Sequence, residues 1–220
     1  MIQQTIKTAT IMNVDCMEYM RTVPDDYFDL AVCDPPYFDG PQKPGYYKGT
    51  RQKSDVGTYK NISTWEVPGE AYFNELLRIS KNQIIFGINY LDVKAPGGRI
   101  VWVKGCENSP FSMAEIAYQS FYNRIDMFRY LWAGFWREPG ALKEVRIHPT
   151  QKPVPLYEWI LETYAKSGQK IFDSHLGSGS SAIAANNMGF EFVGCELDPD
   201  YFESACKRIA NHSAQLRMFS

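Results

Sequence analysis

Two short segments of this sequence combine residue types that could do chemistry together. In the first, Asp34–Tyr37 places an aspartate, two prolines and a tyrosine directly after an apolar run. Prolines lack N–H groups, so this turn presents carbonyl acceptors without competing donors. An amino group could donate to the Asp34 carboxylate and the Pro35 carbonyl, while Tyr37 offers a flat face to a planar ring. A purely structural break between a strand and a loop is the alternative.

The second segment combines an acid with closely spaced glycines. Asp173 ends an apolar run, Gly177 and Gly179 follow, and Glu196 ends the next apolar run. Glycines let the backbone approach a ligand, and the following helix N-terminus offers free N–H groups. Glu196 is placed to accept hydrogen bonds from two ribose hydroxyls. The pattern is typical of a nucleoside-cofactor site, and a tight turn with a solvent-facing glutamate is the alternative.

The elements that must position these segments alternate between strands and helices. The predicted strands are 9–14, 28–33, 84–88, 99–103, 126–135, 170–173 and 190–195, and the predicted helices are 70–79, 113–122, 154–165, 180–188 and 199–210. This alternation predicts an α/β fold, Rossmann-like and doubly wound, with a mostly parallel sheet. Ligands of such sheets bind beyond the carboxyl ends of the strands, which is where both segments lie.

Length and composition narrow the class of protein. The 220 residues predict a single domain over 1–220, and a net charge of -2 restricts any nucleic-acid contact to a local basic patch. The five scattered cysteines predict buried thiols rather than disulfides, and we expect no metal site. No apolar run approaches the roughly 20 residues of a membrane span, and the start lacks a signal-peptide pattern. We therefore expect a cytoplasmic protein without a membrane partner.

In the order of its motifs, the sequence resembles the β-class (permuted) DNA amino-methyltransferases, notably the stand-alone methylases of phages and mobile elements. In that family the D-P-P-Y motif precedes the glycine motif, as Asp34–Tyr37 does here. Val14–Glu18 resembles the family's D-C-x-E segment, His148–Pro153 its H-x-T-Q-K-P motif, and Glu196–Pro199 its acidic ribose contact. The glycine motif departs from the family's D-P-F at Ser174 and His175, and we expect His175 to be a loop histidine rather than a catalyst.

The resemblance implies transfer of a methyl group from S-adenosyl-L-methionine to the N6 amino group of a flipped-out adenine in DNA, in the manner of restriction-modification methylases. Aspartate at position 34 favours adenine, whereas serine at that position goes mostly with cytosine N4. The implied catalytic residues are Asp34, Pro35, Pro36 and Tyr37. The implied cofactor contacts are Asp15, Cys16, Asp34, His148, Thr150, Lys152, Asp173, Gly177, Ser178, Gly179, Ser180, Glu196 and Leu197.

Other reactions remain open at this point. Cytosine-N4 methylation of DNA and adenine methylation of RNA would use the same fold. The spacing of Gly177, Gly179 and Glu196 also fits an NAD-binding oxidoreductase, but that reading leaves Asp34–Tyr37 unexplained. Methylation at cytosine C5 would need a nucleophilic cysteine, typically after proline, and the sequence contains no Pro-Cys pair.

Double-stranded DNA would meet two basic segments. Residues 39–64 carry basic and aromatic residues and predict a DNA-binding lid loop, with a solvated mobile loop as the alternative. Residues 134–147 predict a target-recognition segment. The implied substrate contacts are Tyr37, Phe38, Lys43, Lys48, Arg51, Lys53, Lys60, Arg137, Lys143 and Arg146.

Two protein partners are also suggested by resemblance. Small relatives often form a homodimer, which would widen the DNA footprint. In the tail 213–220, Gln215–Phe219 resembles the Q-L-x-L/M-F peptide that binds bacterial sliding clamps, and its apolar residues could anchor in a groove. A tail folded back onto its own core is the alternative.

Overall fold

The computed structural model describes residues 2–38, 66–105, 112–133, 136–137 and 146–216. Within these ranges the strands are β1 (Ile2–Ile6), β2 (Ala9–Asn13), β3 (Leu30–Cys33), β4 (Gln83–Phe86), β5 (Gly98–Val103), β6 (Ala114–Gln119), β7 (Ile125–Arg129), β8 (Trp132–Ala133), β9 (Trp136–Arg137), β10 (Lys170–Asp173) and β11 (Glu191–Glu196). The helices are α1 (Cys16–Met20), α2 (Glu70–Ile79), α3 (Val154–Tyr164), α4 (Ser180–Met188) and α5 (Pro199–Leu216).

Nine of these strands form one sheet in the order β1-β2-β11-β10-β3-β4-β6-β5-β7. The five strands from β2 to β4 in this order pair in parallel. Only β1 and β6 run against the others in this sheet. The sheet is therefore mixed but mostly parallel, which confirms the predicted Rossmann-like α/β architecture.

The sheet separates two apolar cores. One contains Leu156, Ile160 and Ile183, so α3 and α4 cover that face, and α5 joins them through Ile209. The other core contains Met20 of α1 together with residues of α2, including Leu76. Both faces are covered by helices, as expected for parallel strands whose side chains are buried on both sides.

The chain reverses its winding direction between β10 and β3. These strands are neighbours in the sheet, yet the chain leaving β10 returns through α4 to β11 on one side. The chain leaving β3 returns through α2 to β4 on the other side. Such a reversal opens a crevice at the carboxyl ends of the two strands. Asp173 ends β10 and Asp34 directly follows β3, so both acids lie at this crevice.

One predicted element is wrong. We predicted a helix over 113–122, but Ala114–Gln119 forms β6. This strand lies between β4 and β5 and pairs with both, so its backbone groups are satisfied by two distant partners. Tertiary pairing of this kind overrides a local apolar spacing that fits a helix equally well.

The other differences concern boundaries and two strands that were not predicted, β1 and β9. The edge strand β1 was not predicted, because its side chains are mostly exposed and give no apolar pattern. The single strand predicted over 126–135 is divided into β7 and β8. The predictions for 70–79, 170–173 and 180–188 are confirmed residue for residue.

Candidate active site

Four neighbouring parallel strands each end at an acidic residue. Asp15 follows β2, Glu196 ends β11, Asp173 ends β10 and Asp34 follows β3. A cavity of about 330 Å³ opens above these strand ends, a volume within the range of small-molecule sites. The predicted site residues that line it are Asp15, Cys16, Asp34, Pro36, His148, Thr150, Lys152, Gly177, Ser178, Ser180, Glu196 and Leu197. Residues separated widely in sequence are thus brought together by the sheet.

Asp34 is held at the cavity wall by one of its two oxygens. Its Oδ2 lies 2.5 Å from the Nζ of Lys152, which is almost completely buried. Its Oδ1 is also buried and accepts no hydrogen bond from the residues that the structure describes. Burial raises the pKa of Asp34, and the Lys152 ammonium opposes that rise. A buried acceptor without a donor is costly, and no described residue donates to Oδ1, so this oxygen is suited to accept a hydrogen bond from a ligand.

Lys152 also forms an ion pair with a second carboxylate. Its Nζ lies 3.1 Å from Oε2 of Glu115, and the other oxygen of Glu115 pairs with Lys104. Burial alone would lower the pKa of Lys152, but Asp34 and Glu115 outweigh it and raise that pKa well above its usual value. We had expected Lys152 to contact the cofactor, and its pairing with Asp34 was not predicted. Glu115 and Lys104 were not identified either. Lys104 directly follows β5 and Glu115 lies within β6, and neither residue belongs to a recognisable motif.

The segment before α3 that carries Lys152 is fixed by hydrogen bonds to its backbone. The carbonyl of Lys152 accepts a bond of 2.7 Å from the hydroxyl of Ser180. The preceding carbonyl, of Gln151, accepts one of 2.9 Å from the indole of Trp132. The Gln151 side chain in turn accepts from the backbone N–H of Ile147 at 3.0 Å. These anchors hold the Lys152 side chain in register with Asp34.

Tyr37 lies between the chain at Gly87 and a second aromatic ring. Gly87 has a φ of 69°, and a Cβ there would lie 2.2 Å from the Tyr37 ring, so only glycine fits. The ring of Tyr90 stacks on Tyr37 with centroids 5.3 Å apart and planes at 11°. Tyr90 is 62% exposed and had not been identified from the sequence. The predicted stacking surface at Tyr37 is therefore an aromatic pair.

Glu196 is oriented by the glycine loop. Its Oε2 accepts a bond of 2.8 Å from the backbone N–H of Gly177, and its Oε1 accepts one of 2.9 Å from that of Asp198. Burial raises the pKa of Glu196 to about 7 despite these bonds. A carboxylate oxygen has room for further donors, so Glu196 can accept hydroxyl groups from a ligand in the cavity.

Asp173 and Gly179 shape the loop from behind the cavity wall rather than lining it. The Asp173 carboxylate accepts from the Ser181 hydroxyl at 2.6 Å and from the backbone N–H of His175 at 3.0 Å. Burial raises the pKa of Asp173 to about 7. Gly179 has a φ of 78°, and a Cβ there would lie 2.9 Å from Ile209 of α5. Both residues therefore support the glycine loop, whereas Gly177 and Ser178 face the cavity.

Of the two histidines at the cavity, His148 is buried and His175 is half-buried, and both are neutral near pH 7. Burial lowers the pKa of His148 to about 3 and that of His175 to about 4. His148 Nδ1 lies 3.1 Å from the hydroxyl of Thr150. His175 Nδ1 lies 2.8 Å from the hydroxyl of Ser174, which in turn lies 2.6 Å from that of Tyr72. With neutral histidines and several carboxylates, the cavity favours a ligand that carries positive charge.

Asp15 and Cys16 form the rim beneath α1. One Asp15 oxygen accepts from the backbone N–H groups of Met17 and Glu18 at 2.7 and 3.2 Å, so Asp15 caps this helix. Burial raises the pKa of the Cys16 thiol to about 12, which makes it an unreactive lining group. Among the described residues no cluster of histidine, cysteine and acidic side chains could hold a metal ion.

Few of the predicted DNA contacts fall on described residues. Phe38 packs beside Tyr201, the guanidinium of Arg146 lies 5.0 Å from the centroid of the Trp132 ring, and Arg137 belongs to β9. Lys43, Lys48, Arg51, Lys53, Lys60 and Lys143 lie outside the described residues, as does the tail from residue 217 onward. Within the described part of the chain, no helix is both long and apolar enough to cross a membrane.

Comparison with known proteins agrees with this geometry. Residues 122–207 match the model of the N6/N4 methyltransferase family, described as DNA methylase. The type II methyltransferase M2.DpnII of Streptococcus pneumoniae is 22% identical over 90% of this chain and 88% of its own length. The type II methyltransferase M.HinfI of Haemophilus influenzae is 22% identical over 91% of this chain and 68% of its own length.

Two solved structures share the fold. The complex of M1.HpyAVI with SAM aligns with a TM-score of 0.54 at 20% identity, covering 91% of this chain and 99% of that one. The cytosine-N4-specific PvuII DNA methyltransferase aligns with a TM-score of 0.58 at 11% identity, covering 93% of this chain and 90% of that one. The chain is therefore similar to N6/N4 DNA methyltransferases over residues 122–207, and it shares the fold of solved DNA methyltransferases.

Proposed function

We propose that this protein transfers a methyl group from S-adenosyl-L-methionine to the N6 amino group of a flipped-out adenine in DNA. The observation that carries the proposal is the buried Oδ1 of Asp34, which accepts no hydrogen bond from any described residue and lies at the wall of a cavity of about 330 Å³. The family match and the type II methyltransferase relatives support the same class of reaction.

The described residues fit S-adenosylmethionine. Gly177 and Ser178 face the cavity at the start of α4, where a helix N-terminus suits a carboxylate group. Glu196 can accept hydrogen bonds from ribose hydroxyls. Because the lining combines carboxyl groups with neutral histidines, it favours a positively charged ligand. When bound, this cofactor supplies an electrophilic methyl group carried on a positively charged sulfur.

Asp34 acts on the amino group that receives the methyl group. The lone pair of an exocyclic amine is delocalised into its ring, so the amine is a poor nucleophile. A hydrogen bond to Oδ1 of Asp34, with a second to the carbonyl of Pro35, favours a pyramidal nitrogen with a localised lone pair. The same carboxylate stabilises positive charge as it develops on that nitrogen. Its raised pKa also suits it to receive the amino proton that must then leave.

The choice of adenine rests on aspartate at position 34. Cytosine N4 is the second candidate, because the family model covers both reactions and the PvuII neighbour is cytosine-N4-specific. An RNA adenine is the third candidate, since a flipped base presents the same amino group in either polymer.

DNA is the proposed polymer, and the base must leave the duplex at a cost of a few kcal/mol. The aromatic pair of Tyr37 and Tyr90 supplies stacking that offsets part of that cost. We further propose that the basic segment 39–64 and Arg146 contact phosphates, in an intracellular enzyme of the restriction-modification type. A homodimer and a clamp contact through Gln215–Phe219 remain proposals from resemblance.

The test is analysis of nucleosides after methylation. Unmethylated DNA and RNA are each incubated with the protein and labelled cofactor, then digested and separated by mass. We expect label in N6-methyldeoxyadenosine from DNA. Label found only in N4-methyldeoxycytidine, or only in RNA nucleosides, would replace the proposed substrate by the corresponding alternative. No labelled base in any arm would overturn the methyltransferase proposal.

A further inference from the structure

Four charged side chains form a buried cluster behind the Asp34 carboxylate, in the order Lys104, Glu115, Lys152 and Asp34. Consecutive members are ion-paired, with Nζ of Lys152 shared between Glu115 at 3.1 Å and Asp34 at 2.5 Å. The exposed fractions of these side chains are 15%, 18%, 3% and 13%, respectively. We refer to these four residues as the charged cluster.

The charged cluster is neutral overall, with two ammonium groups and two carboxylates. Isolated buried charges are unfavourable, so each member depends on the others for compensation. Both ammonium groups also face aromatic rings, with Lys152 4.7 Å from the centroid of Phe86 and Lys104 5.1 Å from that of Trp102. Burial alone would raise the pKa of Glu115, but Lys152 and Lys104 outweigh it and lower that pKa. Glu115 is therefore ionised.

The sharing of Lys152 has a consequence for Asp34. An ammonium that serves two carboxylates attracts each of them less than it would attract one alone. The Asp34 carboxylate thus keeps more of its negative charge available to a donor at Oδ1, which accepts from no described residue. Lys104 pairs with the other oxygen of Glu115 and so weakens the effect of Glu115 on Lys152.

We propose that Glu115, balanced by Lys104, is a positioning residue for methyl transfer that acts on Asp34 through Lys152. This inference rests on the proposed function, because it assigns Asp34 the role of acceptor for the amino group. Without Glu115 the cluster carries a net positive charge, Lys152 pairs with Asp34 alone, and the carboxylate becomes a weaker acceptor. Without Lys104 the cluster carries a net negative charge and the change is reversed.

The test compares Glu115→Gln, Lys104→Met and the double variant, which restores neutrality. For Glu115→Gln we expect kcat to fall about 10-fold, the effect of one charge acting over a few ångströms in a partly screened site. The double variant should recover most of that loss. An exposed pair, Lys170 and Glu191 at 3.3 Å, provides the matched control: Glu191→Gln should leave kcat unchanged.

A second measurement separates positioning from folding. The acid limb of the kcat profile should move to lower pH in Glu115→Gln and to higher pH in Lys104→Met, since Glu115 raises and Lys104 lowers the pKa of Asp34. The other titratable groups facing the cluster are Tyr37, Tyr157, Asp173 and His148, which are unchanged in every variant. A loss of folding stability alone would not move the acid limb in opposite directions in Glu115→Gln and Lys104→Met.

The same shifts can be read without activity. Carbon NMR of the Asp34 carboxyl group, titrated in each variant that retains a cooperative thermal transition, reports its pKa directly. Opposite shifts would support the proposal even if the base specificity proves different. Unshifted Asp34, an unchanged kcat in Glu115→Gln, or a double variant as slow as the single one would overturn it. Failure of the wild-type protein to methylate any base would instead count against the proposed function.

Discussion

Tyr90 stacks on Tyr37 beside the Asp34 carboxylate, with ring centroids 5.3 Å apart. The backbone at Gly87 packs closely against the Tyr37 ring. Tyr90, by contrast, is 62% exposed and belongs to a 3-10 helix, Ile88–Tyr90. A base entering the site must therefore either displace Tyr90 from this face or stack onto it. We therefore expect Tyr90 to contact the flipped base.

We accordingly expect Tyr90→Ala to weaken use of DNA more than binding of the cofactor. Loss of one stacking ring costs about 1–3 kcal/mol per base, so kcat/KM for DNA should fall roughly 5-fold to 150-fold. Tyr90→Phe keeps the ring and should remain near wild type. Fluorescence of 2-aminopurine at the target position measures base capture in parallel.

Tyr122→Ala removes another exposed ring, at the opposite end of the sheet beyond β6, and serves as the control. Equal losses in Tyr90→Ala and Tyr122→Ala would argue against a role for Tyr90 in base capture.

Cofactor binding should depend on pH through the two carboxyl groups that flank the glycine loop. Glu196 and Asp173 have pKa values of about 7, raised by burial. A cationic cofactor favours their ionised forms, so binding below pH 7 must release protons. Affinity should therefore increase as pH rises, and Kd for S-adenosylmethionine should fall about threefold to tenfold from pH 6 to pH 8.

Isothermal titration in buffers with different ionisation enthalpies measures both Kd and the protons released. The histidines do not titrate in this range, with pKa values of about 3 and 4, so they cannot mask the effect. S-adenosylhomocysteine, which has a neutral sulfur, should show a weaker pH dependence. Tighter binding at pH 6 than at pH 8 would contradict the assignment.

Gly98 at the start of β5 should be intolerant of any side chain. A Cβ there would lie 2.2 and 2.4 Å from the backbone carbonyl oxygens of Tyr122 and Arg124. Backbone atoms cannot yield cheaply, so Gly98→Ala should lower the free energy of unfolding by about 1–3 kcal/mol or more. Chemical denaturation measures the loss, and Gly69→Ala is the control because no atom lies within 4 Å of its Cβ position. If Gly98→Ala and Gly69→Ala were equally stable, the prediction would be wrong, and the turn that carries Tyr122 and Arg124 would be able to move away from a side chain at position 98.

The sequence was informative wherever a chemical residue directly follows an apolar run. Asp34, Asp173 and Glu196 each end such a run, and parallel strands then bring their ends to one edge of the sheet. The acids of the site could therefore be predicted without knowing the strand order.

The residues around those acids could not be predicted in this way. Glu115 reaches Lys152 only because β6 inserts between β4 and β5, and its local spacing favoured a helix. Tyr90 reaches Tyr37 only because β3 and β4 are neighbours. Both relationships depend on long-range pairing, which no short window of sequence encodes.

The most direct test of the account is methyl transfer by Asp34→Asn, which keeps the size of the side chain but removes its charge. Labelled methyl incorporation into DNA is measured beside cofactor affinity in the same preparation. We expect incorporation to fall at least about 100-fold, as for loss of one group that stabilises developing charge, with cofactor affinity largely kept. Incorporation at the wild-type rate by Asp34→Asn would contradict the role assigned to this carboxylate.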